Sequence, residues 1–171
     1  MTRVILVIVL AVPWATALAD WRLAREQVSP DESSFRVALV ENDSGHSLRI
    51  YQDANGTVRG IFTIRDGFDT LAENNCPTYR IDEHTPASLA AQGQTCQSDP
   101  KRSFFPLGAL EDDQIRSNAL LQLMNGTYVL FRYHLRGVGY RETRFTLEHS
   151  KQILMEILGE NVAVLAEQSA P

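Results

Sequence analysis

The chain has 171 residues, with 16 Lys and Arg against 21 Asp and Glu, for a net charge of −5. That balance excludes general nucleic-acid binding, which needs a broad basic face. The length suits one compact domain, and an apolar content of 44% is enough for a single core.

Met1 to Ala19 has the layout of a secretory signal peptide. Arg3 supplies the positive end, Val4 to Val12 is wholly apolar, Pro13 breaks the run, and Ala17-Leu18-Ala19 is an A-x-A cleavage site before Asp20. The apolar run is too short for a spanning helix, which takes ~20 residues. No other stretch can span a bilayer, so the chain is expected to be periplasmic or secreted after cleavage. Losing Arg3 leaves the mature chain with one more net negative charge.

Asp20 to Ser33 reads as a polar, loosely ordered leader in which Trp21 is the residue able to dock on the domain. The domain itself is expected over residues 34–160. Phe35 to Glu41 is the first strand, with Phe35, Val37 and Leu39 on one face. Asn42-Asp43-Ser44-Gly45 is a turn, Ser47 to Gln52 a second strand, Asp53-Ala54-Asn55-Gly56 a second turn, and Thr57 to Arg65 a third strand. Three strands joined by tight turns form a meander, hence an antiparallel sheet.

Cys76 and Cys96 are the two cysteines. An even count in an exported chain points to one disulfide. Closing a loop of that size is worth ~3 kcal/mol in the chain-entropy model. Free thiols are the alternative; a redox pair would need C-x-x-C spacing, which is absent. Tyr79 to Asp82 is a short strand inside the loop. Pro100 to Gly108 reads as an edge strand, where proline is tolerated. Glu111-Asp112-Asp113 is an acidic turn or the start of a helical turn.

Ser117 to Gly159 carries the densest apolar pattern after the leader. Ala119 to Met124 is read as a strand entering a hairpin at Asn125-Gly126, a pair that suits a type I′ turn. Val129, Phe131, Tyr133 and Leu135 then alternate with Leu130, Arg132, His134 and Arg136, which places the two sets on opposite strand faces. Gly137 and Gly139 break the strand, and Arg141 to Leu147 resumes it with Phe145 and Leu147 inward. The period then lengthens: Ile153, Leu154, Ile157 and Leu158 share one side of a short helix capped by Gly159. Residues 161–171 are expected to be a tail. About eight short strands with regular turns imply an antiparallel β-sandwich or partly closed barrel.

The run Gly126-x-x-Val-x-Phe to Phe145-Thr-Leu-x-x-Ser-x-x-Ile-Leu, followed by a short helix and preceded by a signal peptide, resembles the invasion-associated locus B family of exported bacterial proteins. The resemblance covers Asn118 to Leu158. It implies an immunoglobulin-like β-sandwich of the periplasm or cell envelope, linked to host interaction or envelope integrity, without catalytic residues. The first strands lack the Trp and cysteines that the family pattern would place there.

No motif in the chain specifies catalysis, a cofactor or a metal. His46, His84, His134 and His149 are scattered without zinc-ligand spacing. Ser150 follows His149 but lies in no nucleophile elbow. The constellation that stands out is basic: Arg132, His134 and Arg136 on one strand, Arg141 and Arg144 on the next, flanked by Tyr128 and Tyr140. Facing side chains of paired strands lie ~5 Å apart, so the set can gather into a face for an acidic ligand or an acidic segment of an envelope or host protein. The same residues also suit an ordinary solvated face salt-bridged to Glu142. An exported binding module is the expected function. The alternatives are a secreted enzyme with a site assembled from scattered residues, or an accessory subunit of an envelope complex.

Overall fold

The period-two patterns of the chain are resolved as two packed sheets in a computed structural model that describes residues 20–26, 35–65, 67–73, 75–89 and 97–167. The expected signal peptide and Cys96 lie outside the described residues. Strand β1 is Arg22–Glu26, β2 Phe35–Glu41, β3 Ser47–Gln52, β4 Thr57–Thr63, β5 Thr78–Ile81, β6 Ala87–Ser88, β7 Gln97–Ser98, β8 Arg102–Glu111 and β9 Gln114–Arg116. Helix α1 (Asn118–Asn125) follows, then β10 (Tyr128–Leu135), β11 (Gly139–Thr146), helix α2 (Ser150–Leu158) and β12 (Ala163–Leu165).

The predicted meander is present as β2–β3–β4, antiparallel with Glu41 opposite Ser47 and Gln52 opposite Val58. It is the centre of an eight-stranded sheet ordered β1-β2-β3-β4-β8-β9-β12, with β7 also on β8. A second sheet runs β11-β10-β5-β6. The two sheets face each other across an aromatic core. Phe62 of β4 stacks on Phe131 of β10 with ring centroids 4.7 Å apart and planes 4° apart, and Phe145 of β11 meets Phe131 edge-on at 5.8 Å. The fold is thus the expected β-sandwich with a helix after its last hairpin.

Four expectations are corrected. Residues 22–26 of the expected leader form an edge strand on β2, because Trp21 anchors them: it is 3% exposed, and its Nε1–H donates to the Thr146 carbonyl at 2.9 Å. Residues 163–165 of the expected tail pair in parallel with β9. Phe35, Val37 and Leu39 share a face as expected, and Ala38 and Val40 are the residues that join the inter-sheet core. With Val37, Ala38, Leu39 and Val40 all buried, alternation does not mark the inner face.

The third correction is at Asn125-Gly126, which closes a helix and not a hairpin. Ala119 to Met124 is made of strong helix formers with one glutamine, and Ser117 Oγ accepts the Leu120 N–H at 3.1 Å as an N-cap. Leu120, Leu123 and Met124 then fall on one buried side. Gly126 is extended, with φ −79° and ψ 176°, and donates its N–H to the Gln122 carbonyl at 2.8 Å. Glycine is needed there for space: a Cβ would lie 2.8 Å from Ile81 Cγ2 and 2.9 Å from the Gln122 oxygen. The hairpin of this region is β10–β11, turning at Gly137 with φ 73°.

The fourth correction is β8, expected as an edge strand: it is paired with β4 on one side and with β7 and β9 on the other. Its Pro106 is accommodated because the register with β4 shifts there, skipping Leu107. On the other side the β7 pairing reaches only Phe104 and that of β9 starts at Leu110, so the missing N–H interrupts no ladder on that flank. Helix α2 buries Leu154, Ile157 and Leu158, ends at Gly159, and is tied to α1 by Ser150 Oγ–H donating to the Leu123 carbonyl at 2.7 Å.

Candidate functional site: the outer face of the four-stranded sheet

Strand β10 has one face in the core and one in solvent. Val129, Phe131, Tyr133 and Leu135 are 0–5% exposed, as the alternation predicts. The other face therefore presents Tyr128, Leu130, Arg132 and His134. Direct partners across an antiparallel pair share a face. Arg144 stands opposite Leu130, Glu142 opposite Arg132 and Tyr140 opposite His134, while Arg80 of β5 flanks Leu130 from the other side.

Two of the arginines lie over aromatic rings. The Arg144 guanidinium is 3.8 Å from the centroid of Tyr128, and that of Arg132 is 4.7 Å from the centroid of Tyr140. Such contacts are worth ~0.5–1 kcal/mol at exposed sites. They hold flat cations against a rigid strand pair. His134 meets Tyr140 edge-on at 4.8 Å, and its buried Nδ1 has no hydrogen-bond partner among the described residues.

Next to these cations the β5–β6 connection walls a shallow groove of about 460 Å³, with Thr78, Arg80, Glu83, His84, Arg132 and Glu142 among its linings. The face carries both signs. Glu83 pairs with Arg80 at 3.2 Å and accepts from the Tyr128 hydroxyl at 3.0 Å. That hydrogen bond to Glu83 pushes the Tyr128 phenol up from its ordinary range. Arg80 and Glu83 sit outside the basic pattern of β10 and β11, so reading that pattern alone misses them; the short strand at Tyr79 was the available signal.

The predicted set divides. Tyr128, Arg132, His134, Tyr140 and Arg144 converge on this face. Arg136 is in the turn after β10, ion-paired with Glu73. Arg141 pairs in register with Tyr133 and so belongs to the opposite face. Parity accounts for the split, since Arg141 and Arg144 are an odd number of positions apart. Of the other histidines, His46 is buried at one end of the sandwich, and His149 precedes α2 with its Nδ1 3.2 Å from Asp20 Oδ1. Cys76 is described, but its expected partner Cys96 is not.

These features define an antiparallel two-sheet sandwich with a charged, aromatic outer face on its smaller sheet. Its fold is similar to the crystal structure of invasion associated protein B from Bartonella henselae, with a TM-score of 0.55 and 13% identity over 82% of this chain and 93% of that one. At that identity the likeness is one of fold. No protein-family model and no curated protein sequence matches the chain. No helix among the described residues is long and apolar enough to cross a membrane.

Proposed function

We propose that this is an exported, non-catalytic binding protein of the cell envelope, and that the outer face of β5, β10 and β11 engages an acidic polypeptide segment of an envelope or host partner. The observation that carries this reading is the gathering of Arg80, Arg132 and Arg144 on one sheet face of a chain whose net charge is −5. Two of the three are stacked on tyrosines, so less side-chain freedom is lost on binding. Guanidinium groups recognise carboxylates bidentately, and Glu83 and Glu142 give the face a register that a featureless polyanion would not satisfy. The fold likeness to a protein named for its association with invasion supports a host-interaction or envelope setting.

The test is titration of a labelled acidic peptide against wild type and the Arg132→Ala/Arg144→Ala variant at low and high salt. Exposed contacts of up to ~1 kcal/mol each imply a loss of up to about thirtyfold for the double variant. Binding should also weaken with salt in the wild type, because exposed charges are screened over ~8 Å at physiological ionic strength. Equal affinities of both proteins at both salts would leave an ordinary solvated face. Tighter binding of lipopolysaccharide than of peptide would replace the partner class.

A further inference from the structure

A second cavity, of about 210 Å³, opens at the Leu135 end of β10. Its walls come from both sheets: Ile64 and Arg65 after β4, Tyr133 and Leu135 on β10, Arg141 on β11, and Asp69 from the connection to β5. His46, 8% exposed, forms its back.

The hydrogen bonds at the back fix the direction of a donor chain. The Arg65 backbone N–H donates to His46 Nδ1 at 2.8 Å. That nitrogen is therefore the acceptor of the neutral ring, and the imidazole proton sits on Nε2. Nε2 lies 3.1 Å from the Tyr133 hydroxyl oxygen, which accepts from it. The phenolic O–H is then left with no acceptor among the described residues, although Tyr133 is only 4% exposed. Burial first, and the nearby Arg65 charge second, lower the His46 pKa, so the ring stays neutral near pH 7 and the chain of donors keeps its direction. Burial likewise raises the Tyr133 pKa and keeps the phenol protonated.

Arg65 and Arg141, both exposed, line the cavity, and their charges act on the Tyr133 phenol; the Arg141 guanidinium donates one N–H to the Tyr140 carbonyl at 2.9 Å and keeps its other donors. Neither has a carboxylate within ion-pair distance among the described residues. Ile64 and Leu135 supply apolar wall. Asp69 leaves the site with an excess of one positive charge, which suits a monoanion better than a dianion.

We propose that this cavity binds a small organic monocarboxylate, its carboxylate between Arg65, Arg141 and the Tyr133 hydroxyl and its short carbon body against Ile64 and Leu135. The site is separate from the outer face of the smaller sheet, since Arg141 and Arg132 are on opposite faces of their strand pair.

The experiment is an NMR titration of the purified full protein with propionate, and separately with inorganic phosphate, in a buffer free of other oxyanions. Propionate should produce saturable shifts at His46, Tyr133 and Arg141. Hydrogen bonds to charged groups are strong enough that Tyr133→Phe, which deletes only the hydroxyl, should weaken binding about tenfold or more, as should Arg141→Gln. If Tyr133→Phe perturbs the folded spectrum, the exposed Arg141→Gln decides alone. Non-saturable shifts, unchanged affinity in Arg141→Gln, or phosphate binding more tightly than propionate would each overturn the proposal.

Discussion

Replacing Trp21 tests whether the N-terminal segment belongs to the domain. The indole is 3% exposed, is part of the inter-sheet core, and donates Nε1–H to the Thr146 carbonyl at 2.9 Å, joining the edge of the large sheet to the end of β11. Truncating a buried Phe or Trp to Ala costs about 3–5 kcal/mol. For a domain of this size each kcal/mol shifts the melting temperature by about 2–4 °C, so Trp21→Ala should lower it by about 6–20 °C. Trp21→Phe keeps most of the apolar burial but leaves the Thr146 carbonyl without this donor, at a cost of about 1–2 kcal/mol. Urea titration followed by circular dichroism measures both. If cleavage falls after Ala19, Trp21 is the sole tryptophan of the mature protein, so its emission reads the docking directly. Emission typical of exposed indole, or a Trp21→Ala stability within about 1 kcal/mol of wild type, would refute the anchoring argument. Intact mass of the exported protein should place Asp20 first.

Three further outcomes follow from local geometry. The His46 pKa is lowered in the folded state, so its stability contribution is present above the ordinary value of about 6.5 and is lost as pH falls below it; its imidazole should titrate below that value by NMR, with the proton on Nε2, and titration at or above it would contradict the buried assignment. Gly126→Ala should destabilise by about 1–3 kcal/mol, because the new Cβ meets Ile81 and the Gln122 carbonyl; an unchanged urea midpoint would count against the helix-to-strand joint. Cys76 and Cys96 should resist alkylation in non-reduced protein, and reduction should lower the unfolding midpoint; two readily alkylated cysteines in exported material would remove the disulfide.

The strands that alternate cleanly were legible, and those buried on both faces were not. In β10 the outer set turns polar from Arg132 onward, so Phe131 and Tyr133 can be set inward from the pattern alone. In β2 four consecutive residues are buried, and the pattern carries no information about which face meets the other sheet. Asn125-Gly126 is ambiguous in the sequence for a different reason. The pair satisfies a type I′ turn locally, but the preceding six residues satisfy a helix with an N-cap, and packing of Leu120, Leu123 and Met124 decides between them. The segments at both chain ends read as loose because their few apolar residues form no period. Trp21 and the β12 register show that one large side chain, or three backbone partners, is enough to fasten such a segment.

The basic cluster illustrates the same limit at the functional level. Composition places Arg132, Arg136, Arg141 and Arg144 within thirteen positions, and the sequence pattern groups them as one face. The β10–β11 register separates them by parity. Arg132 and Arg144 go to the solvent side with Tyr140 and Tyr128, Arg136 stays in the turn with Glu73, and Arg141 goes to the side that holds Tyr133. Arg65 and His46, which complete the second group, are remote in sequence and arrive through the β2–β3 turn and the end of β4. A single Arg132→Ala/Arg144→Ala variant therefore perturbs one face while sparing the cavity beside Tyr133, and Arg141→Gln does the reverse. If both variants weakened the same ligand equally, the parity argument itself would be wrong, because two guanidinium groups on opposite faces of one strand pair cannot share a small anion.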